Sequence, residues 1–240
     1  MIRIRSAVFA LLQIVLTIIF TLVAFASFPF SPLTRYRMIT GYNHTVIWLA
    51  RWVLGIRYVV RGREHLPAIP AVILSKHQSA WETVAFLCLF PPVAAVIKQE
   101  LLDLPFFGWA YRLLSPIAID RTAGRAALKK IVAQGRDKLA QGFWVLVFPE
   151  GERMPPGEKG RYNIGGAWLA ANAGAPVVPI ALNAGEVWAK DAFIKRPGTI
   201  TISIGPVINS QHKSAAEIMR EAEAWIETEM ANLPRAAKAE

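Results

Sequence analysis

A chain of 240 residues with 54% hydrophobic content and a mean hydropathy of +0.34 can bury one sizeable core and still have apolar surface left over, which fits one domain plus a membrane element. Its net charge of +10 is uneven: Arg3, Arg5, Arg35, Arg37, Arg51, Arg57, Arg61 and Arg63 all precede the first acidic residue, Glu64, and the remaining 19 basic and 17 acidic residues leave only +2. That distribution argues against a nucleic-acid partner and for a lipid bilayer, while a single cysteine, Cys88, and four scattered histidines exclude an intramolecular disulfide and predict no metal.

The first predicted element is a helix over residues 7–28, inside a stretch from Ser6 to Thr34 that carries no charge. It is long enough to cross a bilayer, and Pro29 and Pro32 stop it. A second segment, MITGYNHTVIWLARWVLGI, is less apolar and contains Arg51 between Trp48 and Trp52, which reads as interfacial. Arginines flank the first helix at both ends, so a single crossing has no charge-defined orientation. A two-helix hairpin dipping into one leaflet returns every arginine to the same headgroup layer. Residues 1–55 are therefore read as a membrane-anchoring hairpin and 56–240 as the second domain. A secretory signal ending near Ala24-Phe25-Ala26 is the competing reading, against which the apolar run is longer than the usual signal core.

From Ile56 onward, short apolar runs alternate with helical stretches. The strand candidates are IRYVV, AVILS, AAVIK, SPIAI, FWVLVF, VVPIAL and TITISIG, and helices are expected over residues 83–90, 123–140, 164–173 and 214–230. Alternation of this kind predicts an α/β fold, a mixed sheet flanked by helices and preceded by the membrane-embedded helix pair. PPGEKGRYN is the most loop-like segment, and the tail NLPRAAKAE is expected to fray.

Two strand exits carry candidate chemistry. In AVILSKHQSAWET, His77 leaves the end of an apolar strand and Glu82 follows five positions later, placing a base beside an acid where α/β folds build their sites. The same residues, Ser79-Ala80-Trp81-Glu82, fit a capping box that merely opens the next helix. In FPEGER, Gly151 permits close backbone approach and Arg153 supplies fixed positive charge, although the string is equally a strand-ending turn with a solvated arginine. Aromatic residues cluster at Phe106, Phe107, Trp109 and Tyr111, where they suit an acyl channel, a lipid-facing patch or core packing. The sequence has no G-x-S-x-G, P-loop or dinucleotide fingerprint, and Cys88 lies in the apolar run TVAFLCLF.

Four blocks in fixed order, His77 to Glu82, KQELLDLPFFGWAYRLLSPIAIDR, FPEGER and VVPIAL, resemble the glycerolipid acyltransferase family and its lysophosphatidic acid acyltransferases. Glu82 stands where the family pattern has Asp, keeping the charge with one more methylene, and Glu152 stands where it has Thr or Ser. The resemblance implies transfer of an acyl chain from acyl-CoA or acyl-carrier protein to the sn-2 hydroxyl of 1-acylglycerol 3-phosphate, giving phosphatidic acid for phospholipid synthesis. His77 would be the general base and Glu82 its partner. Lys98, Arg121 and Arg153 would hold the acceptor's phosphate, Gly151 would admit it, and Glu150 would position it. No cofactor is implied beyond the donor thioester, and direct transfer through a ternary complex needs no covalent acyl-enzyme. The resemblance also implies the membrane-embedded helix pair, and use of a cytosolic donor pool places the catalytic domain on the cytoplasmic side of an inner or plasma membrane. The extra carboxylate of Glu152 keeps other acceptors open, namely a lyso-ornithine lipid, a lysophospholipid with a larger headgroup or glycerol 3-phosphate. A non-enzymatic protein of the same fold would be expected to have lost His77, Glu82 or Arg153.

Overall fold

The computed structural model describes residues 1–105 and 107–236, and for Phe107 and Arg121 the backbone alone. Helix α1 (Ile2–Ala26) has two unlike faces. Ile4, Leu11, Ile14, Ile18 and Leu22 form a stripe in which each side chain is at least 60% exposed; Ser6, Phe9 and Ala24 on the other side are fully buried. Among the described helices, α1 alone is long and apolar enough to cross a membrane. The two prolines do not act alike: α1 ends at Ala26, before Pro29, and Pro32 opens α2 (Pro32–Ile39) at its first position behind the N-cap Ser31.

The chain then turns back on α1. Helix α3 (Gly41–Leu49) runs into a five-residue π-helical turn, Ala50–Leu54, closed by Gly55 at φ 73°. Phe20 meets Tyr42 edge-on at 5.9 Å, and Arg5 Nε near the start of α1 donates to the Val53 carbonyl at 2.6 Å, so the two arms are antiparallel. The return arm is docked on the rest of the protein. Tyr36 Oη donates to the Leu87 carbonyl at 2.6 Å and Asn43 Nδ2 to that of Val84 at 2.8 Å. Trp48 and Trp52 remain 58% and 63% exposed.

All seven apolar runs form strands: β1 (Ile56–Arg61), β2 (Val72–Ser75), β3 (Val93–Lys98), β4 (Ile117–Ile119), β5 (Trp144–Val147), β6 (Val177–Leu182) and β7 (Gly198–Ile204). They make one mixed sheet in the order β1-β7-β6-β2-β5-β3-β4. Neighbours are parallel except β6 and β7. Every residue of β2, β5 and β6 is buried, as expected of inner parallel strands covered on both faces.

Alternation divides the strand residues between two cores. Ile73, Leu146 and Val178 face the layer containing α1, α3 and α4 (Ala80–Leu89). Val72, Val145 and Val177 face the layer of α6 (Arg125–Ala140), α7 (Gly165–Ala173) and α8 (Ala215–Asn232). Helix α7 sits very close to the sheet: a Cβ on Gly166 would lie 2.6 Å from Leu74 Cδ2. Helix α4 begins three residues earlier than residues 83–90 suggest, because the Ser79 capping box is made and adds a turn. A further short helix, α5 (Phe107–Arg112), was not expected from the sequence; Gly108 and the aromatic residues around it carry no helical periodicity.

Candidate active site

Strands β4, β3, β5, β2 and β6 point the same way, so their carboxyl ends lie along one edge of the sheet. The sequence blocks emerge there in spatial order: Arg121 beyond β4, Lys98 ending β3, Glu150 to Arg153 beyond β5, and His77 beyond β2.

The two readings of Glu82 turn out to be one arrangement. Its Oε1 accepts hydrogen bonds from the backbone N–H groups of Gln78 at 2.7 Å and Ser79 at 2.6 Å and from His77 Nδ1 at 2.9 Å. Glu82 is fully buried. Because a carboxylate only accepts, this contact puts the imidazole proton on Nδ1 and leaves the lone pair on Nε2. The ring is further fixed by stacking on Phe148, with centroids 4.0 Å apart and planes inclined by 19°. Among the described residues, Glu82 Oε2 has no partner, so the capping and histidine contacts all converge on a single oxygen.

The FPEGER turn is stitched to the histidine loop on both sides. His77 N–H donates to Glu150 Oε2 at 3.1 Å, and Met154 N–H donates to the His77 carbonyl at 2.8 Å. Gly151 supports the turn with φ 78°, a conformation that disfavours a Cβ, and its N–H returns to the Phe148 carbonyl at 3.0 Å. Glu150 is turned inward. Its side chain is fully buried, and Oε1 accepts from Lys76 Nζ at 2.7 Å and Gly160 N–H at 2.9 Å. Both carboxylate oxygens are thus engaged by the chain itself, which suits a brace beneath the loop better than a direct acceptor contact.

Lys76 is the partner that sequence reasoning missed. It is 1% exposed and also donates to Glu227 Oε1 of α8 and to the Glu158 carbonyl, each at 3.0 Å. Tyr162 Oη donates to the same Glu227 oxygen at 2.7 Å. The available signal was a lysine placed directly after four buried strand residues, a position where an ammonium requires buried partners.

Arg153 lies at the surface of the same turn, next to the residue bonded to the His77 carbonyl, and its Nη2 is 2.8 Å from Asp191 Oδ1. Glu152 pairs with Lys190 at 3.2 Å. Lys98 is exposed at the end of β3. Arg121 opens the 3-10 turn Arg121–Ala123; its side chain lies outside the described residues. Asp120 caps that turn, its Oδ1 accepting from the Thr122 hydroxyl at 2.6 Å and N–H at 2.8 Å, and these bonds hold its carboxyl below the usual carboxylate range.

Behind the first turn of α4 opens an apolar cavity of about 350 Å³, within the size range of small-ligand pockets. Thr17, Phe20, Tyr42, Thr83, Leu87 and Tyr111 are among its lining. Of the aromatic cluster, Tyr111 thus reaches this cavity and Trp109 is 47% exposed, whereas Phe106 and the Phe107 side chain lie outside the described residues. Cys88 Sγ donates to the Ala85 carbonyl at 3.2 Å, and burial pushes its thiol up to about 11, unlike an activated nucleophile.

Its sequence relatives make the chain an enzyme of the acyl-transferring class. The chain belongs to the Acyltransferase family, whose model matches residues 57–183. It is 46% identical to a 1-acyl-sn-glycerol-3-phosphate acyltransferase of Pseudomonas aeruginosa over 96% of this chain and 91% of that protein. A 1-acyl-sn-glycerol-3-phosphate acyltransferase of Limnanthes douglasii is 30% identical over 75% of this chain and 64% of that protein. The fold is shared with the crystal structure of the 1-acyl-sn-glycerophosphate (LPA) acyltransferase PlsC from Thermotoga maritima, with a TM-score of 0.80, 22% identity and coverage of 99% of this chain and 100% of that one.

Proposed function

We propose that the protein transfers an acyl chain from acyl-CoA or acyl-carrier protein to the sn-2 hydroxyl of 1-acylglycerol 3-phosphate, forming phosphatidic acid. The observation that carries this reading is the His77–Glu82 contact of 2.9 Å, which leaves Nε2 as the free base. Nε2 takes the hydroxyl proton as the oxygen attacks the thioester carbonyl, Glu82 stabilises the imidazolium, and collapse of the tetrahedral intermediate expels the thiolate. A thiolate leaves readily, so no serine or cysteine nucleophile is required. Arg153, Lys98 and Arg121 supply positive charge along the same edge for the acceptor's phosphate, and Glu150 acts by holding the His77 loop. The apolar cavity behind α4 is suited to an acyl chain. Pairing of Glu152 with Lys190 offsets the extra carboxylate that the family pattern lacks, which favours a phosphate-bearing acceptor over a lyso-ornithine lipid.

The test is a panel of acceptors and both donor types, read by product mass. Arg153→Ala is expected to lower kcat/KM for the phosphate-bearing acceptor about ten- to hundredfold, the worth of a charge-assisted contact, with donor KM little changed. A phosphate-free analogue should be used poorly by the wild type and be affected far less. Equal losses on both acceptors would remove Arg153 from phosphate recognition.

The exposed apolar stripe of α1 supports a membrane location, with the catalytic domain on the cytoplasmic face of an inner or plasma membrane. Because the return arm brings Val53 back to Arg5, the N-terminus and the catalytic domain should lie on the same side. Tag or protease accessibility in sealed vesicles checks this; opposite sides would require a single crossing instead.

A further inference from the structure

Between β6 and β7 the chain makes a surface excursion tied to α1 at two points. Trp188 packs edge-on against Phe9 at 5.4 Å, and Lys195 N–H donates to Ser6 Oγ at 3.1 Å. Between these anchors, Lys190 and Asp191 meet Glu152 and Arg153 in two consecutive ion pairs of opposite polarity. Asp191 sits at φ 55°, a left-handed conformation that aspartate tolerates better than most residues. Its side chain is 70% exposed, whereas that of Arg153 is 30% exposed. One guanidinium nitrogen is therefore held by a carboxylate oxygen open to solvent, the same acceptor chemistry that a phosphate oxygen would offer.

We propose that Asp191 is a stand-in anion for the acceptor's phosphate: it holds Arg153 in the free enzyme, is displaced when the phosphate arrives, and thereby sets the affinity for the acceptor. This rests on the reading of Arg153 as the phosphate ligand. An exposed carboxylate–guanidinium pair is weak, and a dianionic phosphate competes with it effectively. The Glu152–Lys190 pair is separate from the exchange, so it can keep the two loops together while Asp191 lets go. In such a scheme the apparent affinity is reduced by the fraction of enzyme in which Arg153 is already occupied.

Asp191→Asn removes the competing charge and retains tolerance of the left-handed backbone. In the full chain held in vesicles, it is expected to lower the KM for 1-acylglycerol 3-phosphate about two- to fivefold, the worth of an exposed ion pair, with kcat and donor KM unchanged. KM for a phosphate-free monoacylglycerol should not move, and in an Arg153→Ala background the substitution should have no effect. An increase in acceptor KM would overturn the proposal by showing that Asp191 orients Arg153 productively. An unchanged KM would overturn it too, provided Arg153→Ala alone raises KM. If Arg153→Ala alone leaves KM unchanged, the phosphate reading fails and the stand-in role fails with it.

Discussion

Replacing His77 by alanine is expected to lower turnover by about two to four powers of ten, the usual contribution of a general base, while leaving the folded protein intact. The fold should survive because His77 contributes its side chain to a partly open loop, whereas the loop itself is held by backbone groups: its N–H on Glu150 and its carbonyl on Met154. Glu82 separates the two roles further. In Glu82→Gln the side-chain oxygen can still accept from the Gln78 and Ser79 N–H groups, so the cap persists, but the charge that in the proposed mechanism stabilises the imidazolium is gone. Its turnover should fall well below that of Glu82→Asp, which keeps the charge. Single-turnover rates beside thermal melts decide the matter. A Glu82→Gln enzyme with wild-type rates would reduce Glu82 to a helix cap.

The second large effect concerns stability. Lys76→Met is expected to destabilise the protein by about 3–5 kcal/mol, since it strands the fully buried Glu150 carboxylate without its ammonium partner. For a chain of this size that corresponds to a fall in melting temperature of roughly 6–20 °C. Replacing Lys76 and Glu150 together by apolar residues of similar volume should cost less than Lys76→Met alone, because the penalty lies in the unpaired charge. A melting temperature within about 2 °C of wild type for Lys76→Met would mean that the buried network contributes little.

The sheet was legible because its strands are apolar runs bounded by turn residues, and burial on both faces keeps such runs continuous. The order of the strands was not legible, nor was the reversal at β7, since pairing partners are chosen by long-range packing. Helix α5 escaped notice because six residues rich in aromatics and glycine show no period. At the site, His77 and Glu82 could be placed together from local spacing alone, and the capping box that seemed to compete with this role is the same set of bonds. Lys76 and Asp191 could not be read in this way. A lone aspartate in sequence looks solvated, and the place of Lys76 after a buried strand calls for a partner without saying which: Glu150 and Glu227 lie 74 and 151 positions away, and Arg153 lies 38 positions from Asp191.

The same separation has a consequence for how the protein is made. Strand β1 has β7 as its sheet neighbour, and the bond from Lys76 to α8 closes only when Glu227 is available. On a ribosome, where the N-terminal part of a chain emerges first, α1 is exposed long before either late partner exists. An apolar helix of this kind is thus free to meet a lipid surface while Lys76 still lacks its partner on α8, so the order of synthesis leaves the buried network beneath the histidine loop to be completed last.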